Sequence, residues 1–87
     1  MKFVFDPVKS LKNEVKHGID FDAAQALWDD DRLLELPARV QDEVRVLAIG
    51  KIGYIHWAAV YTPCNDAIRL ISVRRARKME VEYYESQ

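Results

Sequence analysis

The spacing of apolar residues divides the chain into a short strand, two helices, a run of strands and a last helix. Residues 2–5 are a lysine followed by three apolar side chains, a short run that predicts a strand. Asp6 and Pro7 suit the cap and first turn of a helix, and Gly18 suits its left-handed C-terminal cap. Between these signals, apolar residues at spacings of three and four predict one apolar helical face: Val8, Leu11 and Val15.

A second helix is predicted to begin at Asp20 and to end near the acidic run 29–31. Its apolar side chains recur at helical spacing: Phe21, Ala24, Leu27 and Trp28. Three carboxylates at a helix C-terminus oppose the helix dipole. The acidic run therefore fits either a solvated loop or a site for a positively charged partner.

The second half of the chain is rich in strand patterns separated by short turns. Turns are expected at residues 50–53 and 63–66 because glycine, proline and asparagine cluster there. Strands are predicted at residues 33–36, 43–49, 54–61 and 67–73. Strands joined by such short turns are expected to be antiparallel neighbours.

A last helix is predicted from Ala76 onward, where Met79 and Tyr83 return to helical spacing. The predicted order is β-α-α-β-β-β-β-α, in a single domain of residues 1–87. This order predicts an α+β fold, with an antiparallel sheet of four or five strands, two N-terminal helices and one C-terminal helix.

The composition describes a small and nearly neutral protein of 87 residues, with 13 Lys and Arg against 14 Asp and Glu. This balance argues against a protein that coats nucleic acid nonspecifically. No apolar run approaches the roughly 18 residues that cross a membrane, and the N-terminus lacks a secretory pattern. The single cysteine, Cys64, cannot form an internal disulfide. Together these features predict a cytoplasmic protein without membrane contact.

Positive charge is concentrated after the last predicted strand. Residues 67–79 contain no acid and five bases: Arg69, Arg74, Arg75, Arg77 and Lys78. This stretch is either an anion-binding site or a solvated helix face. If the stretch is an anion-binding site, its ligand could be nucleic acid, an acidic partner or the protein's own carboxylates.

The candidate chemistry is RNA cleavage by side chains alone, since patterns for a phosphate loop or zinc ligands are missing and no metal or other cofactor is predicted. Such cleavage needs a base for the ribose 2′-hydroxyl, cations around the phosphate and an acid for the leaving oxygen. Arginine suits the phosphate because its planar fork binds two oxygens. Candidate bases are Glu43 and Glu80, and candidate proton carriers are Tyr61, Tyr83 and His17. Trp57 and Tyr54 could stack on unpaired bases.

Structural roles compete with these assignments. Trp57, Met79 and Tyr83 also fit a hydrophobic core, and Glu43 with Arg45 also fits a weak surface ion pair. Strict strand alternation separates the candidate cations. It places Arg69, Ile71 and Val73 on one face, and Leu70, Ser72 and Arg74 on the other.

Both halves of the chain carry a series of short motifs. The N-terminal half carries Phe5-Asp6-Pro7, Lys16-His17-Gly18-Ile19-Asp20-Phe21 and Trp28-Asp29-Asp30. The C-terminal half carries Glu43-x-Arg45, Val60-Tyr61-Thr62 and Arg69-x-Ile71-Ser72-x-Arg74-Arg75-Ala76, followed by Glu80 and Tyr83. Together these motifs resemble the BrnT family of type II toxins.

The resemblance implies a RelE-like fold and a metal-independent endoribonuclease that inhibits translation. It also implies a BrnA-like ribbon-helix-helix antitoxin, in a hetero-oligomer that reaches operator DNA only through the antitoxin. Four residues stand at positions where the family usually carries basic or catalytic side chains: Arg45, Arg69, Arg74 and Arg75. The predicted catalytic set is Arg45, Arg69, Arg74, Glu43 and Glu80. The predicted RNA-binding set is Arg75, Arg77, Lys16, Tyr61 and Tyr83.

A second hypothesis follows from two departures from the family pattern. Asp31 stands where proline commonly follows the Asp-Asp pair, and Pro63-Cys64-Asn65 replaces a turn that often carries charge. These departures and the net charge of −1 fit a degenerate nuclease. Such a protein would bind its antitoxin and act only as a corepressor.

Overall fold

The computed structural model describes residues 1–38 and 42–87. Its strands are β1 (Lys2–Val4), β2 (Leu34–Pro37), β3 (Val46–Ile52), β4 (Ile55–Cys64) and β5 (Ala67–Arg75). Its helices are α1 (Pro7–His17), α2 (Phe21–Ala24), a 3-10 helix (Gln25–Asp29) and α3 (Lys78–Glu85). The predicted α+β class is confirmed. The predicted second helix is divided into α2 and the tighter 3-10 helix.

The strands form one mixed sheet in the order β1-β5-β4-β3-β2. The pairs among β2 to β5 are antiparallel, as predicted. In contrast, β1 runs parallel to β5 and pairs Lys2 with Ala67 and Val4 with Arg69. The all-antiparallel prediction is wrong for β1, because turn length determines the direction of successive strands but not of strands separated by most of the chain.

The turn between β3 and β4 lies at Gly53 and Tyr54, later than the centre of the predicted turn at residues 50–53. Gly53 has a φ of 61°, a region that glycine adopts without a Cβ penalty. Gly50 lies inside β3 instead. A Cβ there would be 2.9 Å from Cδ1 of Leu33 and 3.1 Å from Cδ2 of Leu27. Gly50 therefore makes room for the segment that packs on the sheet.

Helices cover both faces of the sheet. On one face, α1, α2 and the 3-10 helix enclose the main core, in which Phe21, Leu27 and Val73 are fully buried. Trp57 is a buried member of this core, which confirms its structural interpretation. Helix α3 packs against β3. Within the described residues, no helix has the length and apolar character needed to cross a membrane.

Helix α3 buries a different residue from the one that its spacing predicted. Tyr84 is buried, whereas Met79 and Tyr83 are exposed. The structural prediction for Met79 and Tyr83 is therefore wrong. Helical spacing fails here because a hydrogen bond from the Tyr84 hydroxyl to Asp30, rather than an apolar stripe, determines which side of α3 faces the sheet.

Helix α1 meets the sheet through polar side chains, since Ser10 and Asn13 are its buried residues. Nδ2 of Asn13 donates to the carbonyl oxygens of Ile19 and Val73, each at 2.8 Å. Oδ1 of Asn13 accepts from the backbone nitrogen of Val73 at 3.1 Å. Oγ of Ser10 accepts from the backbone nitrogen of Phe21 at 2.9 Å. The apolar face of α1 lies on the solvent side: Val8, Leu11 and Val15.

Replacing Asn13 with Ala should lower the free energy of unfolding by about 3 kcal/mol, because three buried backbone groups lose their partner. Urea unfolding followed by tryptophan fluorescence measures this loss. Lys12→Ala, on the exposed side of the same helix, is the matched control and should change the free energy by no more than about 0.5 kcal/mol. A loss from Asn13→Ala no larger than that of the control would show that these bonds do not hold α1.

Candidate functional site

A β-bulge in β5 changes the alternation of its side chains. Tyr61 pairs with Leu70 and Val60 pairs with Ser72, so Ile71 is an extra residue on β5. The inserted residue reverses the pattern of alternation: positions that would share a face in a regular strand lie on opposite faces when the bulge stands between them. Leu70 and Tyr61 both belong to the main core.

The bulge brings Arg69 and Arg74 to the same face of the sheet. Arg69 pairs with Thr62 and Arg74 pairs with Ala58, and both partners lie on the side of β4 opposite its core-facing residues. Val73, between the bulge and Arg74, faces the main core. The prediction that alternation separates Arg69 from Arg74 is wrong, because one residue is inserted between them.

Arg69 forms an ion pair with Glu43, which precedes β3. Nη2 of Arg69 donates to both carboxylate oxygens of Glu43, at 2.9 and 2.8 Å. Oγ1 of Thr62 donates to Oε1 of Glu43 at 3.4 Å, and Nη2 of Arg45 lies 3.7 Å from the same oxygen. The side chains of Arg69, Glu43 and Arg45 are 41%, 38% and 44% exposed. This cluster is therefore open to solutes.

Arg74 forms a more enclosed pair with Glu80 at the start of α3. Nη1 and Nη2 of Arg74 donate to Oε1 and Oε2 of Glu80 at 2.8 and 2.9 Å, as two parallel bonds. The two side chains are only 24% and 13% exposed. The backbone nitrogen of Arg77 also donates to Oε1 of Glu80, at 2.7 Å. The bond from Arg74 lowers the pKa of Glu80, and the same bond raises the pKa of Arg74.

The two pairs place two arginine side chains on one face, each with a carboxylate as its anion. Phosphate oxygens suit an arginine fork as carboxylate oxygens do. Either arginine fork could therefore bind a phosphate group in place of its carboxylate, and the released carboxylate could accept a proton. In residues 1–38 and 42–87, no group of three His, Cys, Asp or Glu side chains is arranged to hold a metal ion.

The structure disperses most of the predicted RNA-binding cations. Arg75 lies on the opposite face, with its guanidinium carbon 5.4 Å from the centre of the Trp57 ring. Arg77 caps α3, and Lys16 is exposed in the last turn of α1. Arg75 and Lys16 therefore do not join the face that carries the two pairs, whereas the backbone nitrogen of Arg77 contacts Glu80 there.

The two predicted tyrosines lie in different environments. Tyr61 is buried in the main core and its hydroxyl donates to Glu35. Burial and the bond to Glu35 raise the pKa of Tyr61, so its proton is held firmly. Tyr83 is exposed on α3, three residues after Glu80. Of the two, only Tyr83 is open to a large ligand.

Sequence patterns missed the polar cluster that attaches the end of α3. Oδ2 of Asp30 accepts from the hydroxyl of Tyr84 at 2.6 Å and from the backbone nitrogen of Lys51 at 2.8 Å. Burial alone would raise the pKa of Asp30, but these hydrogen bonds outweigh it and the pKa is lowered. Burial and the bond to Asp30 raise the pKa of Tyr84 to about 12. No local pattern connects Asp30 to Tyr84, which lie 54 positions apart.

The chain matches the model of a known protein family. That family is described as the ribonuclease toxin BrnT of type II toxin-antitoxin systems, and the match covers residues 5–80. The matched segment contains all four residues of the two ion pairs: Glu43, Arg69, Arg74 and Glu80. No curated protein matches the chain.

The Arg74–Glu80 pair should make stability depend on acid pH. Because the pKa of folded Glu80 lies below its ordinary value of 4.5, its contribution is fully present above that value and is lost as pH falls through the lowered pKa. Glu80→Gln should therefore lower the free energy of unfolding by about 1 kcal/mol at pH 7. That deficit should shrink as the pH falls below 4.5.

Urea unfolding of both proteins across this pH range measures the deficit. Glu82→Gln removes an exposed carboxylate from the same helix and serves as the matched control. A deficit for Glu80→Gln that is independent of pH would contradict the role assigned to the pair.

Proposed function

Because the chain belongs to the BrnT family of ribonuclease toxins of type II toxin-antitoxin systems, we propose that it is an active, metal-independent endoribonuclease. Its phosphate site is the sheet face that carries Arg69 and Arg74. The observation that supports this site is the pairing of both arginines with carboxylates on one face. Such pairs keep the guanidinium groups oriented before the substrate binds.

In the proposed reaction, a phosphate of single-stranded RNA takes the place of Glu43 on Arg69. Arg74 and the neighbouring Arg45 stabilise the additional negative charge of the five-coordinate phosphorus. The ribose 2′-oxygen loses its proton to a base and bonds to phosphorus. The bond between phosphorus and the 5′-oxygen then breaks, which leaves a 2′,3′-cyclic phosphate, and the 5′-oxygen takes a proton from solvent water.

We assign the base to Glu43 rather than to Glu80. Glu43 is the more exposed carboxylate, at 38% against 13%, and its arginine partner is the more accessible one. The lowered pKa of Glu80 makes it a weak proton acceptor. Its hydrogen bonds to Arg74 and to the backbone of Arg77 give it a positioning role at the start of α3.

Tyr83 is the aromatic residue that we assign to the bound RNA. It is exposed, and residues three apart on a helix are surface neighbours, so it lies next to Glu80. Its ring would stack on an unpaired base beside the cleaved phosphate. Arg77, whose backbone nitrogen contacts Glu80, would then add weaker, nonspecific attraction for the RNA backbone.

A type II toxin is neutralised by an antitoxin protein, so this family membership implies such a partner. We propose that the partner is a BrnA-like ribbon-helix-helix protein, and that the toxin reaches operator DNA only within their hetero-oligomer. Cleavage of RNA in the cytoplasm would inhibit translation when the antitoxin is absent.

Arg69→Ala and Arg74→Ala should each slow RNA cleavage by about 10²- to 10³-fold, because each removes one donor to the developing charge. Cleavage of a fluorescent single-stranded RNA by the purified variants, in the presence of EDTA, measures the rates. Lys12→Ala removes a cation from the opposite side of the molecule and should cleave at the wild-type rate. Cleavage by folded Arg69→Ala and Arg74→Ala proteins at the wild-type rate would reject this site, and a wild-type rate abolished by EDTA would reject metal independence.

A non-catalytic corepressor is the second candidate function. It is favoured by the neutralisation of Arg69 and Arg74 by internal carboxylates and by the net charge of −1. In this case the wild-type protein would cleave no RNA but would tighten the binding of the antitoxin to its operator. An electrophoretic mobility assay with operator DNA, with and without this protein, tests the second function. Unchanged operator affinity would reject it.

A further inference from the structure

Helix α1 carries an apolar ridge that points away from the sheet. The side chains of Val8, Leu11 and Val15 are 57%, 65% and 89% exposed. Their spacing places them on one helical face, opposite the buried Ser10 and Asn13. We call these three side chains the apolar ridge.

The fold does not need the apolar ridge. Asn13 and Ser10 attach α1 to the main core through hydrogen bonds. Asp6 caps its first turn by accepting from the backbone nitrogen of Val8 at 2.8 Å, and Gly18 ends it with a φ of 82°. Single exposed apolar residues are common on protein surfaces, but three in a line on one helix provide a surface for a partner.

Charge is distributed unequally along the two edges of the apolar ridge. At 3.6 residues per turn, one edge carries three exposed lysines, Lys9, Lys12 and Lys16, which we call the lysine edge. The other edge carries the exposed Glu14. A complementary partner therefore needs an apolar stripe with carboxylates along one side.

A second copy of this chain does not meet that requirement. In an antiparallel pair of α1 helices around a two-fold axis, the lysine edges of the two copies meet. In a parallel pair, the three lysines of each copy face a single Glu14. Both arrangements leave uncompensated positive charge at the interface, which weakens association.

We propose that the apolar ridge and the lysine edge of α1 form the docking surface for an acidic amphipathic helix of the antitoxin. Apolar residues of that helix pack between Val8, Leu11 and Val15, and its carboxylates face the lysine edge. This surface lies on the opposite side of the sheet from Arg69 and Arg74. The docked helix anchors the antitoxin without occupying the phosphate site. The identity of the partner rests on the proposed function.

The test measures the affinity of the purified chain for its purified cognate antitoxin. Leu11→Ser combined with Val15→Ser should raise Kd about tenfold or more, mainly through faster dissociation. Lys9→Glu combined with Lys12→Glu should slow association and reduce its dependence on salt. Tyr54→Ser, which removes a 96% exposed aromatic side chain from the β3–β4 turn, is the matched control and should bind as the wild type.

RNA cleavage by the same proteins separates this inference from the proposed nuclease. The Leu11→Ser, Val15→Ser protein should cleave within about twofold of the wild-type rate, since its changes lie away from the phosphate site. Binding that depends on the ridge without any RNA cleavage would reject the nuclease and keep the docking surface. Wild-type affinity in the ridge variant, or no binding by the wild-type chain, would overturn the docking surface. If sedimentation instead shows that the wild-type chain is a dimer and that the Leu11→Ser, Val15→Ser protein is a monomer, a second copy of this chain, and not the antitoxin, occupies the surface.

Discussion

The extra residue Ile71 in β5 is the constraint on which both sides of this sheet depend. Before it, Leu70 faces the main core and Arg69 faces the open side; after it, Val73 faces the core and Arg74 the open side. Strict alternation would have placed Arg74 in the layer of Leu70 and turned Val73 outward. The inserted residue therefore places Val73 in the core beneath α1 and both Arg69 and Arg74 on the opposite face.

The two ion pairs on that face differ in how readily they can exchange their anion. The Arg69–Glu43 pair is more than one-third exposed on both sides, so its net stabilisation is at most about 1 kcal/mol. A phosphate can replace Glu43 at little cost. The Arg74–Glu80 pair is more enclosed and also attaches the first turn of α3. In the proposed function, Arg69 therefore exchanges its anion first, while Arg74 stays oriented by the helix that it helps to attach.

Sequence patterns located most elements because their signals are local, such as the Asp6 cap and the Gly18 helix end. They failed where distant contacts decide the outcome. Asn13 is buried because Val73, sixty positions away, offers its backbone groups to it. The parallel pairing of β1 with β5 and the bulge are equally nonlocal. Sequence reasoning offered the arginines and glutamates of the proposed site as candidates. Their pairing needed the strand register, as did the contact of Thr62 with Glu43.

The proposed phosphate site requires that Arg69 and Arg74 together bind one stretch of RNA backbone. Arginine side-chain NMR during titration with 2′-O-methyl RNA tests it directly, because this RNA lacks the attacking hydroxyl and binds without being cleaved. The Nε resonances of Arg69 and Arg74 should shift together with increasing RNA, while that of Arg75, on the opposite face, should stay in place. Shifts at Arg75 and Arg77 with unchanged signals from Arg69 and Arg74 would contradict it.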